Sequence, residues 1–564
     1  MRAGLRQGIG PGFAVGAVVL AGFAAAGPSA RAAGPGPART VPVSRAVSSG
    51  ARTLTVVEPG VPDTLNPLLT RTAAGADAVA PVFDSLVRID GNGTVRPDLA
   101  VRWSRSVDAR TWQFTLNPRA RWHDGEPVTA GDVAFTIRLV RNAGFGAAST
   151  VGFDRVVTIT VVDPHTLVLH LRASYAPFLA TVGAAPILPA HVLAGISAGA
   201  IRDETSFNRH PIGSGPFVVA QFTADGHVVE DANPDYFGGP PHLDRLAFAP
   251  AASRRTALAL VAHGDTSLLA PSFGLGPADV LSLPAFAQRR VLYTPSFAWT
   301  HLDLIEHGLF KSPLVRRALA LATPREQIVA TVLHGHGQIC DGDQAPGTPA
   351  YEPALYGSYH FDLSAARQRL LRAGFVPAPG GRLLYGGQPL TVNLWGDAGC
   401  KTCVTALGLV AGGWRGLGVV VMVHLVPTEV LFGPRGPLYD PDRFTASAYN
   451  AVFYTWVNGP DPDDSAYWTH NAIVTSDQPF GGNFDGYSNR ALDRLITDAL
   501  VTPTGPVRYA LYHQIQHVVT TDQPDVFLYW ADMVSVVPPR LTGYRPTPYD
   551  GAATWNARDW RLTP

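Results

Sequence analysis

The stretch from Pro97 to Val140, PDLAVRWSRSVDARTWQFTLNPRARWHDGEPVTAGDVAFTIRLV, constrains the fold more tightly than any other part of this chain. Trp112, Phe114 and Leu116 alternate with Thr111, Gln113 and Thr115, the period of a strand with one buried face. Asp124-Gly125 supplies a turn, because glycine reaches positive φ without strain and aspartate bonds its own backbone. Thr129 stands three residues before Asp132. Its hydroxyl is placed to cap an orphan amide, while the Asp132 carboxylate faces the positive end of the helix dipole. Val133, Ile137 and Val140 follow at helical spacing. Strand, turn and capped helix in direct succession predict a mixed α/β chain.

At 564 residues the chain exceeds the size at which one hydrophobic core keeps growing, so at least two lobes are expected. Val156 to Val162 and Thr166 to Leu171, joined at Asp163-Pro164, read as a hairpin. Ser312-Pro313 starts a helix, with proline where its missing amide does no harm. At the next helix Thr323 is expected to cap, Pro324 to take the first position and Glu326 to complete a capping box. The 44 basic residues balance the 44 acidic ones, which argues against a nucleic-acid surface. Arg2 and Arg6 precede an apolar run from Phe13 to Ala26, and Ala30-Arg31-Ala32 offers a small-residue cleavage site. Residues 1–32 therefore read as an export signal and 33–51 as a flexible leader. No cysteine lies there to carry a lipid anchor.

Of three cysteines, Cys400 and Cys403 are the candidate disulfide, with Cys340 left over. Their C-x-x-C spacing also fits a redox pair or half a zinc site. A redox pair needs a strand–helix–strand setting that the sequence does not display. His334, His336 and Cys340 fall in a Gly-rich loop dense in metal-ligand types, but the mix of hard and soft groups selects no metal. No cofactor motif is present: HExxH, P-loop and Rossmann fingerprints are absent. Ala270-Pro271-Ser272-Phe273-Gly274 lacks the first glycine of a nucleophile elbow. Nothing points to an enzyme.

Several separated blocks carry a more specific signal. Trp103 and Asp108 precede Trp112-x-Phe114-x-Leu116, and Trp122-His123-Asp124-Gly125-x-Pro127-Val128-Thr129-Ala130-x-Asp132-Val133 follows. Asn66-Pro67-Leu68, Phe83-Asp84-Ser85-Leu86, Gly213-Ser214-Gly215-Pro216-Phe217, Asn233-Pro234-Asp235-Tyr236-Phe237 and the segment Trp456 to Trp468 complete the set. Together they resemble the family 5 extracytoplasmic solute-binding proteins, the oligopeptide-, dipeptide- and nickel-type receptors of ABC importers. Phe237 stands where the family usually has tryptophan. The resemblance implies an α/β, two-lobed periplasmic-binding-protein fold, type II-like and of the large cluster C kind. It implies lobe I from 52–91, 212–298 and 525–564, an extra subdomain from 92–211, and lobe II from 299–524. The hinge crossings are expected near Pro295 to Thr300 and near Pro524.

The same resemblance implies a monomeric exported receptor that captures a peptide or peptide-like solute between its lobes and delivers it to a membrane permease. A metal-complex receptor of the nickel type, an oligosaccharide receptor and an extracytoplasmic enzyme are the alternatives. Ligand contacts are expected from Thr70, Arg71, Thr72 and Ala73, where Arg71 is placed to pair with a carboxylate. Tyr454 and Trp456 share one strand face, so both line the cleft or both belong to the sheet core. In the peptide receptors an aspartate after this strand holds the peptide's α-amino group. Counted back from Asp461-Pro462 the equivalent is Asn458; counted forward from Trp456 it is Gly459. Neither is acidic, so the amine anchor is expected to be missing, with Asp461, Asp463 and Asp464 shaping the following turn. The Pro97 to Val140 block itself is expected to be scaffold.

Overall fold

The computed structural model describes residues 52–563, except 204, 265, 289, 434, 441, 445–448, 476, 477, 479, 480 and 550. The expected export signal and leader lie outside the described residues.

The first lobe is built on a seven-stranded mixed sheet. Its centre is the strand Thr53–Glu58, parallel to both Arg245–Pro250 and Ser267–Leu269. Alternate residues such as Leu54, Val56, Leu246 and Phe248 are fully buried, as a sheet covered on both faces requires.

The subdomain is the segment that opened the sequence. Strands Ala100–Arg105, Thr111–Leu116, Thr166–Leu171 and Val156–Asp163 form a four-stranded antiparallel sheet in that order. Trp112, Phe114 and Leu116 are buried as their alternation predicts. The helix Ala130–Val140 buries Val133, Ile137 and Val140. Its N-terminus differs from the expectation in one detail. The Asp132 carboxylate accepts the Thr129 amide at 2.8 Å, and the Thr129 hydroxyl donates to that same oxygen at 2.9 Å. The other Asp132 oxygen takes the Ala190 amide at 2.8 Å, so one carboxylate caps this helix and fastens the next. Leu54, Phe114 and Phe248 sit in one continuous core, which makes the subdomain part of the first lobe.

Three sequence blocks converge on Asp84. Ser214 and Tyr236 each donate a hydroxyl to its carboxylate at 2.8 Å. Burial pushes the acid up to about 6, against the pull of these hydrogen bonds. His123 joins the same junction. Its Nδ1 accepts the Gly213 amide at 3.2 Å, so Nε2 carries the proton and donates to the Gly215 carbonyl at 3.1 Å. Burial holds this imidazole neutral, down at about 4. Gly213 and Gly215 are glycines because backbone presses on backbone. A Cβ would sit 2.0 Å from the Val82 carbonyl oxygen at Gly213 and 2.4 Å from that of Pro81 at Gly215. Gly213→Ala is therefore expected to cost roughly 1–3 kcal/mol through overpacking, read as a lower midpoint in urea unfolding.

The second lobe carries a six-stranded sheet, ordered Gly337–Ile339, Asp525–Ala531, Ala298–Leu304, Tyr449–Val457, Thr391–Asp397, Val420–Val426. Helix Pro313–Leu321 begins at Ser312-Pro313 as expected. The next helix, Arg325–Val332, is not capped by Thr323. The Thr323 hydroxyl donates to the Leu319 carbonyl at 2.8 Å and accepts the Trp414 indole N–H at 2.9 Å. Glu326 turns to His360 at 2.8 Å. Tertiary partners have outcompeted the local capping box.

The chain passes between the lobes twice. The first passage lies between Val291–Thr294, in the first sheet, and Ala298–Leu304, in the second. The return is later than expected. Asp525–Ala531 still pairs in the second sheet, whereas Met533–Val536 pairs in the first. The crossing is thus at Asp532, not Pro524, and the strand Asp525–Ala531 belongs to the second lobe. The Ser296 hydroxyl donates to the Ala531 carbonyl at 2.6 Å and ties the two passages side by side.

Candidate functional site

The described cavity that draws on both lobes has a volume of about 410 Å³. From the subdomain come Trp103, Arg105, Trp112 and Tyr175; from the second lobe come Pro460, Asp461, Arg508 and Tyr509. Trp112, buried in the core of the block expected to be scaffold, also borders this cavity. Its alternation in sequence assigned it to a face. That face packs on Phe178, ring centroids 5.1 Å apart, and only the far wall of the cavity comes from the second lobe, which no local pattern displays.

Asp461 lines the cavity but is already paired. Arg508 donates to both its oxygens, at 2.8 and 2.6 Å, and also to the Ala499 carbonyl and the Tyr512 hydroxyl. Burial opposes the charge on Arg508, but the bidentate carboxylate outweighs it and holds the guanidinium above the ordinary arginine range. The sequence did not single out Arg508, which sits on the buried face of helix Pro506–Asp522.

Asn458 points inward. Its Oδ1 accepts the Trp299 indole N–H at 2.9 Å and its Nδ2 donates to the Asp343 carbonyl at 2.6 Å. Both polar atoms are thus engaged within the second lobe. Gly459 is the opposite case: it is exposed, and a Cβ there meets nothing within 4 Å. Asp464 is buried and Asp463 partly buried at this turn, and desolvation pushes both acids upward.

Tyr454 and Trp456 do share a face, and that face is core. The Tyr454 hydroxyl donates to Asp303 at 2.6 Å, and the Trp456 ring lies parallel to Phe484 at 6.0 Å. Both belong to an aromatic cluster with Trp299, Tyr467 and Trp468. Period-two alternation specifies that a face is covered; it does not say whether side chains or a ligand cover it.

Thr70 to Ala73 form a loop organised by Asp63. That carboxylate accepts the Thr70 hydroxyl at 2.6 Å, the Thr72 hydroxyl at 2.9 Å and the Arg71 amide at 2.8 Å. Thr72 caps the helix Ala73–Val79 through the Gly75 amide at 3.1 Å. Arg71 and Ala73 are exposed. Among the described residues the Arg71 guanidinium donates to the Gly146 and Ala147 carbonyls, each at 3.4 Å.

The proposed metal ligands of the Gly-rich loop are not brought together among the described residues. His334 is exposed, His336 stacks on Tyr293 at the hinge with ring centroids 3.5 Å apart, and Cys340 is fully buried. The strand Gly337–Ile339 separates the histidines from the cysteine. Cys400 and Cys403 form the disulfide. The strand–helix–strand setting not evident in the sequence is nevertheless there. Thr391–Asp397 and Val420–Val426 pair in parallel around helix Lys401–Gly416, which Cys400 caps.

Comparison with known proteins agrees with this architecture. Residues 94–475 match the family model described as Bacterial extracellular solute-binding proteins, family 5 Middle. The oligopeptide-binding protein AppA of Bacillus subtilis is 24% identical over 491 residues, covering 86% of this chain and 87% of AppA. Protein XP55 of Streptomyces lividans is 28% identical over 485 residues, covering 86% and 84%. The structure of AppA in complex with a nonapeptide superposes with a TM-score of 0.72 at 23% identity, over 91% of this chain and 99% of that one. NikZ of Campylobacter jejuni in complex with Ni(L-His) gives a TM-score of 0.74 at 23% identity, over 91% and 100%. With most of the chain inside the family match and two lobes joined by two crossings, the protein belongs to the bacterial extracellular solute-binding proteins of family 5.

Proposed function

We propose that this protein is the exported, monomeric receptor of an ABC importer, and that it takes a peptide-like solute whose α-amino group it does not grip by charge. It binds its solute between the lobes and hands it, unaltered, to a membrane permease. Ligand contacts to both lobes favour the closed arrangement, by no more than the ligand's differential affinity for the two states. The observation that carries this reading is the aromatic cavity drawing walls from the subdomain and the second lobe. Trp103, Trp112, Tyr175 and Tyr509 offer large apolar faces with polar edges, the lining of a binding pocket. Arg105 on the cavity wall supplies positive charge for acidic or carbonyl groups of the solute, whereas Arg71 lies in a separate pocket of the first lobe. The carboxylate on the wall, Asp461, is neutralised by Arg508. The peptide-binding names of relatives such as AppA support the solute class.

The test is calorimetric titration of the mature chain with a tripeptide and with its N-acetylated form. Comparable affinity for the two is expected. A preference of tenfold or more for the free amine would overturn the missing-anchor reading. Mass spectrometry of ligand released from freshly purified protein then identifies the solute.

A further inference from the structure

Among the described residues, a cluster of metal-ligand side chains lies away from the cleft, inside the second lobe. His301 and Asp303 are two apart on the strand Ala298–Leu304, so both point to one face. Asp525 opens the neighbouring strand and is the direct cross-strand partner of Asp303. All three are at most 3% exposed. His301 Nε2 lies 2.9 Å from Asp303 Oδ1 and 3.8 Å from Asp525 Oδ2. One ligand atom from each residue falls within 4.8 Å of the others.

Three further observations distinguish this group from a chance acidic cluster. Two aspartates directly opposite each other destabilise a ladder unless positive charge stands between them. The register between Ala298–Leu304 and Asp525–Ala531 is also broken at this point: Thr300 pairs with Tyr529 but His301 pairs with Phe527, a bulge at the imidazole. Finally, His301 Nε2 and Asp525 Oδ1 are buried yet make no hydrogen bond, although carboxylate oxygens lie close by. The other ring nitrogen, Nδ1, faces the Trp299 carbonyl at 3.4 Å. A backbone carbonyl on the far nitrogen is the usual support of a metal-bound histidine. The neighbouring Arg443 does not neutralise the pair directly: its donors go to the carbonyls of Phe484, Asp440 and Val474.

We propose that His301 Nε2, Asp303 Oδ1 and an Asp525 oxygen bind a first-row divalent cation, of the zinc or manganese class. Tetrahedral bonds of about 2.0–2.1 Å place ligand atoms roughly 3.3–3.4 Å apart, and the two measured separations bracket that edge. The ion clamps the two strands whose ends become the lobe crossings, after Thr294 and at Asp532. It therefore fixes the second lobe's side of the hinge and is structural, not cargo. Because the site is dry, the ion enters as the chain folds.

The test uses the mature chain refolded with zinc, with manganese or with chelator, followed by gel filtration, elemental analysis and thermal melting. About one equivalent of ion per chain is expected, with a melting temperature above that of the chelated protein. Asp525→Asn is expected to lose the ion and the ion-dependent shift, while melting no lower than the wild type in chelator, since a like-charge pair has been removed. Wild-type protein that holds no stoichiometric ion and melts identically in all three conditions overturns the proposal. So does Asp525→Asn that retains the ion. Should that variant fail to fold, the wild-type measurements still decide.

Discussion

Asp461→Ala is expected to lower the stability of the second lobe by about 3–5 kcal/mol, the loss that follows when one member of a buried ion pair is removed. The Arg508 side chain is fully buried behind Asp461 on the cavity wall. Without Asp461 it keeps only the Ala499 carbonyl and the Tyr512 hydroxyl, neither of which carries charge. The penalty is thus an unpaired guanidinium in a dry site, rather than one missing contact. The same variant loosens the turn Pro460 to Pro462 on the cavity wall, so solute affinity should fall with stability. Replacing both partners, Asp461→Leu with Arg508→Met, is expected to recover most of the loss, because apolar groups of similar volume avoid desolvating charge. Urea unfolding followed by tryptophan fluorescence reports the difference. A loss below about 1 kcal/mol would mean that the pair behaves as an exposed one.

Legibility in the sequence followed locality. The strand at Thr111–Leu116, the hairpin at Asp163-Pro164 and the helix at Pro313–Leu321 are specified by residues within one or two turns of each other. Periodicity and proline placement suffice to find them. The capping expected at Thr323 failed because Trp414, distant in sequence, offers the hydroxyl a stronger partner. The return crossing was misplaced for a related reason. Gln523-Pro524 ends the long helix convincingly, but whether the following strand joins the first or the second sheet depends on pairing with Ala298–Leu304. The cavity was the least legible part. Trp112 and Arg508 border one cavity only because two folded units approach each other, and nothing within either segment encodes that approach. Likewise His301, Asp303 and Asp525 read in sequence as scattered polar residues in apolar strands. Their meaning lies in the cross-strand register and the bulge.

The two positions left open for the amine anchor are now distinguishable, and the difference can be measured. Asn458→Asp is expected to gain no peptide affinity. It removes the Nδ2 donor and turns a carboxylate oxygen towards the Asp343 carbonyl, so the expected result is a destabilisation of about 1–3 kcal/mol. Gly459→Asp introduces the carboxylate where there is room for it. The glycine is exposed, its backbone needs no positive φ, and an added Cβ meets no neighbour within 4 Å. A charge-assisted hydrogen bond to an ammonium contributes about 1.5–3 kcal/mol, so affinity for a free-amine tripeptide should rise roughly 10- to 100-fold. The N-acetylated peptide carries no charge there, and its affinity should stay within about threefold of the wild-type value. That contrast separates an amine anchor from a general change in the cleft, because an altered cavity shape would move both ligands together. Equal responses of the two peptides in Gly459→Asp would mean that a carboxylate at this position does not reach the peptide's amine.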